Sequence, residues 1–127
     1  MQERNTRESR IVLVVEDDPL LRMHAVDLVE EAGFEPVEAA DATEALEILE
    51  ARPDIRIVFS DIDMPRGMDG MRLAAMIRDR WPPIKVILTS GYFRRSDIRL
   101  PTESVFIPKP YVDKDVVAAM RRFARRV

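Results

Sequence analysis

Short, unbroken apolar runs alternate with stretches of helical periodicity along the chain. Five such runs, each bounded by polar or turn-forming residues, predict five β-strands at residues 11–15, 34–39, 55–59, 84–88 and 105–107. A run such as IVLVV has no polar position in alternation, which is typical of a strand buried on both faces of a parallel sheet. Pro36 indicates that the second strand lies at an edge, because proline has no N–H to donate to a ladder.

Between these runs, apolar residues recur at intervals of three and four, which predicts helices. Asp18 is a suitable N-cap for the first helix, Pro19 suits its first turn, and Gly33 ends it. Asp41 and Glu44 have the spacing of a capping box at the start of the second helix. Both helices are therefore marked by local signals as well as by periodicity.

The second half of the chain continues the alternation. A third helix is predicted over about residues 70–80, a short fourth one within 92–103, broken by Pro101, and a last one capped by Asp113. Strands that alternate with helices predict a parallel sheet with helices on both faces. Ligands of such sheets bind at the carboxyl ends of the strands.

Length and composition narrow the class of protein. The chain has 127 residues, 46% of them hydrophobic, which suits one compact domain; we expect a disordered lead-in at residues 1–8 and the domain at 9–127. The absence of cysteine excludes disulfides and thiolate metal sites, and a net charge of −3 argues against direct nucleic-acid binding. No apolar run approaches the length of a membrane span and the first residues are polar, so we expect a cytoplasmic protein.

Four of the predicted strands are followed closely by charged or hydroxyl side chains. These are Glu16 and Asp17 after the first strand, Asp61 after the third, Thr89 and Ser90 after the fourth, and Lys109 after the fifth. In a parallel sheet all of them lie at one edge. If the first, third and fourth strands are neighbours, the side chains converge.

The chemistry of such a group points to phosphate and a divalent cation. Three carboxylates in one cleft repel each other unless a cation is bound, and oxygen ligands favour Mg²⁺ or a similar hard ion. Lys109 offers an ammonium group and Thr89 a hydroxyl, both useful against a phosphoryl group. An aspartate can form an acyl phosphate, and Asp61, at the end of a central strand, is the candidate nucleophile.

The same residues resemble a known signature. Glu16-Asp17, Asp61 followed by Met64-Pro65, Thr89-Ser90 and Lys109-Pro110 look like the motifs of bacterial response-regulator receiver domains of two-component signalling, and the resemblance covers roughly residues 9–126. It implies a flavodoxin-like, doubly wound α/β fold of three layers (α/β/α). The strand order that it implies for the five-stranded parallel sheet is 2-1-3-4-5.

The resemblance also implies a role for each acidic residue. Asp61 matches the phosphoacceptor, Asp17 a direct metal ligand, and Glu16 an acidic neighbour that acts through water. Asp63 occupies the position where the family offers a backbone carbonyl to the metal, which is Mg²⁺.

Further positions match the residues that bind the phosphoryl group in the family and those that move on activation. Thr89 and Lys109 match the pair that holds the phosphoryl oxygens, and the Lys109-Pro110 bond matches one that is usually cis. Thr89 and Phe106 match the two residues that move on activation. The surface formed by the fourth helical segment, the fifth strand and the last helix is then expected to change shape.

This resemblance sets the functional prediction. We expect a stand-alone receiver, monomeric or weakly dimeric, that is not an enzyme beyond accepting and hydrolysing its own phosphoryl group. Its expected partners are a histidine kinase or histidine phosphotransfer protein as donor and a separate downstream target protein, with no nucleic acid and no membrane.

Two features depart from the common receiver pattern. The loop DIDMPRGMDG is one residue longer, at Arg66-Gly67, and resembles receivers associated with hybrid histidine kinases. Asp63 adds a carboxylate beside the acceptor that would bind metal, repel a phosphodonor or orient a hydrolytic water; the residues leave these three roles open.

Alternatives also remain at the level of function. Asp61-Ile-Asp63 looks like the motif of a small phosphatase of the haloacid dehalogenase type, although that motif normally follows the first strand. A receiver-like interaction module that is never phosphorylated is the other alternative. At single positions, Phe106 as core filling rivals the switch role, Ser90 is interpreted as structural, and His24 as a surface residue.

Overall fold

Strands and helices alternate as the hydrophobic pattern predicts. The computed structural model describes residues 10–65, 67–93, 100 and 104–125. The strands are β1 (Ile11–Val15), β2 (Glu35–Ala39), β3 (Ile57–Asp61), β4 (Lys85–Ser90) and β5 (Ser104–Pro108). The helices within the described ranges are α1 (Pro19–Glu31), α2 (Ala42–Ala51), α3 (Gly70–Arg80) and α4 (Asp113–Ala124).

The five strands form one parallel sheet in the order β2-β1-β3-β4-β5, which confirms the expected topology. The strand with Pro36 is at an edge, as predicted. In register, Asp61 pairs with Thr89 and Ser90 pairs with Pro108. The carboxyl ends of β3, β4 and β5 are therefore level with one another, and each of them carries or directly precedes a candidate site residue.

Two of the described helices cover each face of the sheet. Val12 and Val14 of β1 pack in a buried cluster with residues of α1 and α4, whereas Leu13 and Val15 pack in a second cluster with residues of α2 and α3. All four side chains are at most 1% exposed. Each such burial stabilises the fold by about 1.5–3 kcal/mol, and the two clusters make the predicted three layers.

The first two helices begin with the predicted caps. The Asp18 carboxylate accepts hydrogen bonds from the N–H groups of Leu20 and Leu21, at 2.9 and 3.1 Å. Asp41 accepts from the N–H of Glu44, whose own carboxylate accepts from the N–H of Ala40, both at 2.8 Å. Each cap satisfies N–H groups that a helix start leaves without a partner.

The prediction that Asp113 caps the last helix is wrong. The N-cap is Val112, with an extended backbone and no side-chain cap, and Asp113 is the first helical residue. The extended conformation that a cap requires falls one residue earlier than the sequence suggests. Asp113 instead places its charge in the first turn, where it complements the helix dipole, and its Oδ1 lies 3.3 Å from Nε2 of His24.

Some predictions fall on other parts of the chain. The lead-in at residues 1–8, Arg66 in the longer loop and most of the short helix within 92–103 lie outside the described residues. The domain boundaries stay predictions. None of the described helices has the length and apolar character needed to cross a bilayer.

Candidate functional site

Side chains from four strands meet at the carboxyl edge of the sheet. Glu16 follows β1, Asp61 ends β3, Thr89 is the penultimate residue of β4, and Lys109 follows β5. All four line one cavity of about 470 Å³, which also reaches the inner side of α1. The convergence predicted from the strand ends is therefore confirmed.

Three carboxylates form an acidic cluster in this cavity region. One oxygen each of Glu16, Asp17 and Asp61 can be chosen so that all lie within 4.8 Å of one another. Glu16 is 6% exposed and Asp61 is 5% exposed, while Asp17 is open to solvent. Two of the carboxylates are therefore withdrawn from water, and the third is exposed to it.

Lys109 is the cation that faces this cluster. Its Nζ lies 3.4 Å from Oδ2 of Asp61 and 3.8 Å from Oε1 of Glu16. Its backbone N–H donates to the carbonyl of Ser90 at 2.9 Å, which ties the end of β5 to the end of β4. The Lys109–Pro110 peptide bond is cis, as the resemblance implies.

One ammonium group does not balance the three carboxylates. Burial raises the pKa of Glu16 to about 7, and the neighbouring charge of Asp61 adds to this, whereas Lys109 and the N–H of Asp18 oppose it. Burial also raises the pKa of Asp61, against the attraction of Lys109. A set of carboxylate oxygens short of positive charge is what a hard divalent ion such as Mg²⁺ requires, so these residues fit such an ion.

The hydroxyl of Thr89 is a buried polar group that indicates a ligand site. Thr89 is 3% exposed, and its Oγ1 is buried without a hydrogen-bond partner in the described part of the chain. Leaving a buried hydroxyl unpaired costs about 1–3 kcal/mol, so an unpaired hydroxyl in a folded protein usually has a functional role or a bound partner. Thr89 lines the same cavity as Asp61 and Lys109, and a group with acceptor oxygens there would satisfy it.

Asp63 is arranged differently from the other acidic residues. Its backbone N–H donates to Oδ1 of Asp61 at 3.2 Å. Its carboxylate accepts from the hydroxyl of Ser90, at 2.8 and 3.0 Å to its two oxygens, and from the N–H of Gly91 at 3.1 Å. The Asp63 side chain is therefore bound to the last residue of β4 and to the residue that follows it. Asp63 also lines a second cavity with Met64.

Two residues that support the site are not predicted from the sequence. The guanidinium of Arg22 in α1 donates to the backbone carbonyl of Glu16 at 2.8 Å, which holds the turn after β1. Gly70 starts α3 directly against β3: a Cβ there would overlap the Asp61 carbonyl oxygen and lie 2.8 Å from the Ile62 Cα. Arg22 has no signal in the sequence, and Gly70 is marked there only as the approximate start of the predicted third helix.

Phe106 lies inside the molecule. It is 2% exposed, packs in the cluster of α2 and α3, and pairs in register with Leu88, next to Thr89. This position favours the core-filling role over a side chain that first has to turn inward. Its role in switching stays a prediction.

Comparison with known proteins identifies the family. The family model described as "Response regulator receiver domain" matches residues 12–121. The chain is 37% identical over 122 residues to the sensor kinase CckA of Brucella abortus, which covers 93% of this chain and 13% of CckA. It is 34% identical over 117 residues to the transcriptional regulatory protein PdtaR of Mycobacterium tuberculosis, covering 87% of this chain and 55% of PdtaR.

Solved structures agree with this result. The receiver domain of the hybrid histidine kinase CckA is similar with a TM-score of 0.76 and 33% identity, over 90% of this chain and 98% of that one. A response regulator receiver domain from Clostridium thermocellum is similar with a TM-score of 0.83 and 25% identity, over 91% and 94% of the two chains. The strand order, the residues at the strand ends and these matches lead to one conclusion: the chain belongs to the response regulator receiver domain family.

Proposed function

We propose that this domain accepts a phosphoryl group on Asp61 from a histidine kinase or a histidine phosphotransfer protein. Receiver domains are signalling modules that interact with such donors and with downstream effectors. The chain spans only 13% of the sensor kinase and 55% of the regulatory protein that it resembles. Stand-alone action, a separate target protein, a monomeric or weakly dimeric state and a cytoplasmic location therefore stay predictions.

One observation supports the proposal above all others. A buried carboxylate, Asp61, shares a cavity with an ammonium group 3.4 Å away and with the unpartnered hydroxyl of Thr89. A phosphoryl group on Asp61 would bring acceptor oxygens to both donors. No residue of the described site offers Thr89 such an acceptor by itself.

Each residue then has a chemical task. A carboxylate oxygen of Asp61 attacks the phosphorus of the donor phosphohistidine, the phosphorus–nitrogen bond breaks, and its electron pair remains on the imidazole. Lys109 and Thr89 bind the oxygens of the transferred group. Glu16, Asp17, Asp61 and the backbone carbonyl of Asp63 would hold Mg²⁺, which when bound neutralises charge between the carboxylates and the phosphoryl oxygens.

A protein donor suits the surface around the cavity. Leu20, Leu21 and Met23 on α1 are 75%, 48% and 60% exposed, and Val112, beyond β5, is 54% exposed. Leu21 also lines the cavity, as does Tyr111 immediately before Val112. Exposed apolar side chains on the segments that line a site favour contact with another protein over contact with a small phosphodonor alone.

The proposed output involves Thr89 and its neighbours in the sheet. Movement of Thr89 toward the phosphoryl oxygens would shift the end of β4 against β5, where Phe106 and Ile107 are paired with Leu88 and Thr89. Near-complete switching between two states needs about 5 kcal/mol of differential stabilisation. Charge-assisted bonds from Lys109 and a newly satisfied Thr89 hydroxyl are of that order together.

The phosphatase alternative loses its support. It requires Asp63 as a general acid beside Asp61, but the Asp63 carboxylate is engaged by Ser90 and Gly91. Family membership also places the chain among receivers. The alternative of a receiver-like module that is never phosphorylated remains an outcome of the experiment that follows.

Intact mass spectrometry tests the proposal directly. Incubation with acetyl phosphate and Mg²⁺ is expected to add one phosphoryl mass to the wild type and none to Asp61→Asn. The adduct is expected to be lost in hydroxylamine, which cleaves acyl phosphates. Asp79→Asn, a change of the same type on a side chain that is 67% exposed on α3, is expected to behave like the wild type.

Two results would contradict the proposal. A wild type that gains no mass, with Mg²⁺ and donor in excess, would favour the non-phosphorylated module. An adduct that persists in Asp61→Asn would place the acceptor elsewhere.

A further inference from the structure

The carboxylate of Asp63, the hydroxyl of Ser90 and the N–H of Gly91 form a connected group between two loops, here called the Asp63 clasp. Ser90 Oγ lies 2.8 and 3.0 Å from the two carboxylate oxygens, and the Gly91 N–H donates to one of them at 3.1 Å. Ser90 is 1% exposed, so water cannot readily replace these bonds. The clasp therefore joins the loop after β3 to the end of β4.

The clasp continues beyond Ser90. The same Ser90 oxygen accepts hydrogen bonds from the N–H groups of Tyr92 and Phe93, at 3.0 and 3.1 Å. These two aromatic side chains are 85% and 45% exposed. One carboxylate thus organises the backbone of residues 90–93, which carries an exposed aromatic surface.

At its other end the clasp reaches the acceptor. The backbone N–H of Asp63 donates to Oδ1 of Asp61. On the neighbouring strand β4, Thr89 is held on two sides. Its carbonyl accepts a hydrogen bond from the Ile62 N–H at 2.8 Å, and the next residue, Ser90, is bound to the Asp63 carboxylate. The hydroxyl of Thr89 is buried and has no hydrogen-bond partner among the described residues.

We propose that Asp63 is a positioning residue: through Ser90 and Gly91 its side chain holds the end of β4 so that the hydroxyl of Thr89 remains directed into the cavity for the phosphoryl group. This deepens the proposed function and, for its kinetic part, rests on it. A hydroxyl that is already directed into the cavity needs only a short movement to reach the phosphoryl oxygens, and this raises the rate of transfer over that of a hydroxyl that has first to be reoriented. Positioning thereby replaces the three roles that the sequence leaves open for the Asp63 carboxylate.

Backbone amide exchange tests the clasp without phosphodonor or Mg²⁺. In Asp63→Ala the amides of Gly91, Tyr92 and Phe93 are expected to exchange at least tenfold faster than in the wild type. Ser90→Ala, which removes the hydroxyl but no charge, is expected to accelerate Tyr92 and Phe93 by a similar factor. At Tyr92 and Phe93 the double variant is expected to match the single ones, because both changes break the same connection. Ser104→Ala, a serine change at the start of β5, serves as the matched control and is expected to leave these amides unchanged.

Kinetics then separate positioning from metal binding. Asp63→Ala and Ser90→Ala are each expected to slow formation of the acyl phosphate from acetyl phosphate about tenfold at saturating Mg²⁺, with the Mg²⁺ Kd within about threefold of wild type. Asp63→Asn, which keeps an acceptor oxygen for Ser90, is expected to recover part of the rate.

Three outcomes would overturn the proposal. One is unchanged amide exchange in Asp63→Ala. Another is a loss of Mg²⁺ affinity in Asp63→Ala as large as in Asp17→Ala, which would make the side chain a metal ligand. The third is a double variant in which the amide exchange of Tyr92 and Phe93 is accelerated by the product of the two single-variant factors. Failure of the wild type to gain a phosphoryl group would instead count against the proposed function, since the exchange experiment contains no donor.

Discussion

Glu16 and Asp61 are carboxylates that the fold withdraws from water before any ligand is bound. Both are at most 6% exposed, and burial raises the pKa of each. A carboxyl group with a raised pKa binds its proton more tightly in the folded state than in the unfolded state. Its ionisation above the unfolded pKa therefore lowers the stability of the metal-free fold.

Glu16→Gln is expected to stabilise the metal-free protein at neutral pH. The pKa of Glu16 rises from 4.5 to about 7, so the wild type is expected to lose stability as the pH increases across this interval, by an amount on the order of 3 kcal/mol. The difference in unfolding free energy between variant and wild type should therefore grow between these pH values and then level off. Urea unfolding in EDTA at a series of pH values measures it.

The matched control for this experiment is Glu47→Gln, at an exposed position of α2. Its stability difference from wild type is expected to show no comparable growth with pH. A Glu16→Gln difference that is also independent of pH would contradict the pKa assigned to this side chain.

At the scale of elements, helix α3 is placed by its first residue. Gly70 lies against the backbone of Asp61 and Ile62, and its N–H donates to the Ile62 carbonyl at 3.1 Å. Asp69 caps the helix by accepting from the N–H of Arg72 at 2.9 Å. The start of α3 therefore packs on the strand that carries the acceptor, and the length of the loop between them has to permit this contact.

Gly70→Ala is expected to affect both stability and the site. The added methyl group meets backbone atoms, which cannot rotate away, so we expect a loss of about 1–3 kcal/mol or more in unfolding free energy. The displaced Asp61 should also accept the phosphoryl group at least several-fold more slowly. Urea unfolding and the rate of mass gain with acetyl phosphate measure the two effects.

Gly33→Ala separates these effects. Gly33 has a φ of +95°, and no atom beyond its chain neighbours lies within 4 Å of the point where a Cβ would stand. Alanine there therefore costs only backbone strain, about 1–2 kcal/mol. Its phosphorylation rate is expected to stay at the wild-type value. Equal rates for Gly70→Ala and Gly33→Ala would show that the contact between α3 and Asp61 has no role in the site.

The sequence predicts most of the elements but not every boundary. Buried strands and two of the caps follow from local patterns, because apolar runs and Asx caps act over a few residues. The cap predicted at Asp113 is one position too far along, since the extended residue before the helix is Val112, whose side chain cannot accept a hydrogen bond and so gives no local signal. The direction of the Asp63 side chain depends on the conformations of two loops together, and no local pattern records that.

At the scale of the whole molecule, the strand order follows from resemblance and not from the hydrophobic pattern. Five parallel strands with helical crossovers permit several orders. The strands β1, β3 and β4 are all buried, so their apolar patterns do not tell which of them are neighbours. The predicted convergence of Glu16, Asp61 and Thr89 is therefore conditional on β1, β3 and β4 being neighbours. The structure satisfies that condition, and the acidic cluster then follows from the strand ends.

The acidic cluster joins separate segments of the chain, so a bound cation is expected to stabilise the entire fold. Mg²⁺ at ten times its Kd should raise the unfolding free energy by about 1.4 kcal/mol, because it binds the folded state and not the dispersed carboxylates of the unfolded chain. Urea unfolding at pH 7.5 with Mg²⁺ and with EDTA measures this increase. Asp17→Asn replaces one of the three carboxylates by a neutral amide and is expected to lose most of this increase at the same Mg²⁺ concentration.

Asp79→Asn again provides the control, because it removes an equal charge from an exposed position on α3. It is expected to keep the full increase, which excludes a general effect of net charge. If Asp17→Asn and Asp79→Asn responded alike, the stabilisation would come from screening by a divalent salt. A cation bound between β1 and β3 would instead distinguish the two variants, since only Asp17 belongs to the group that unfolding disperses.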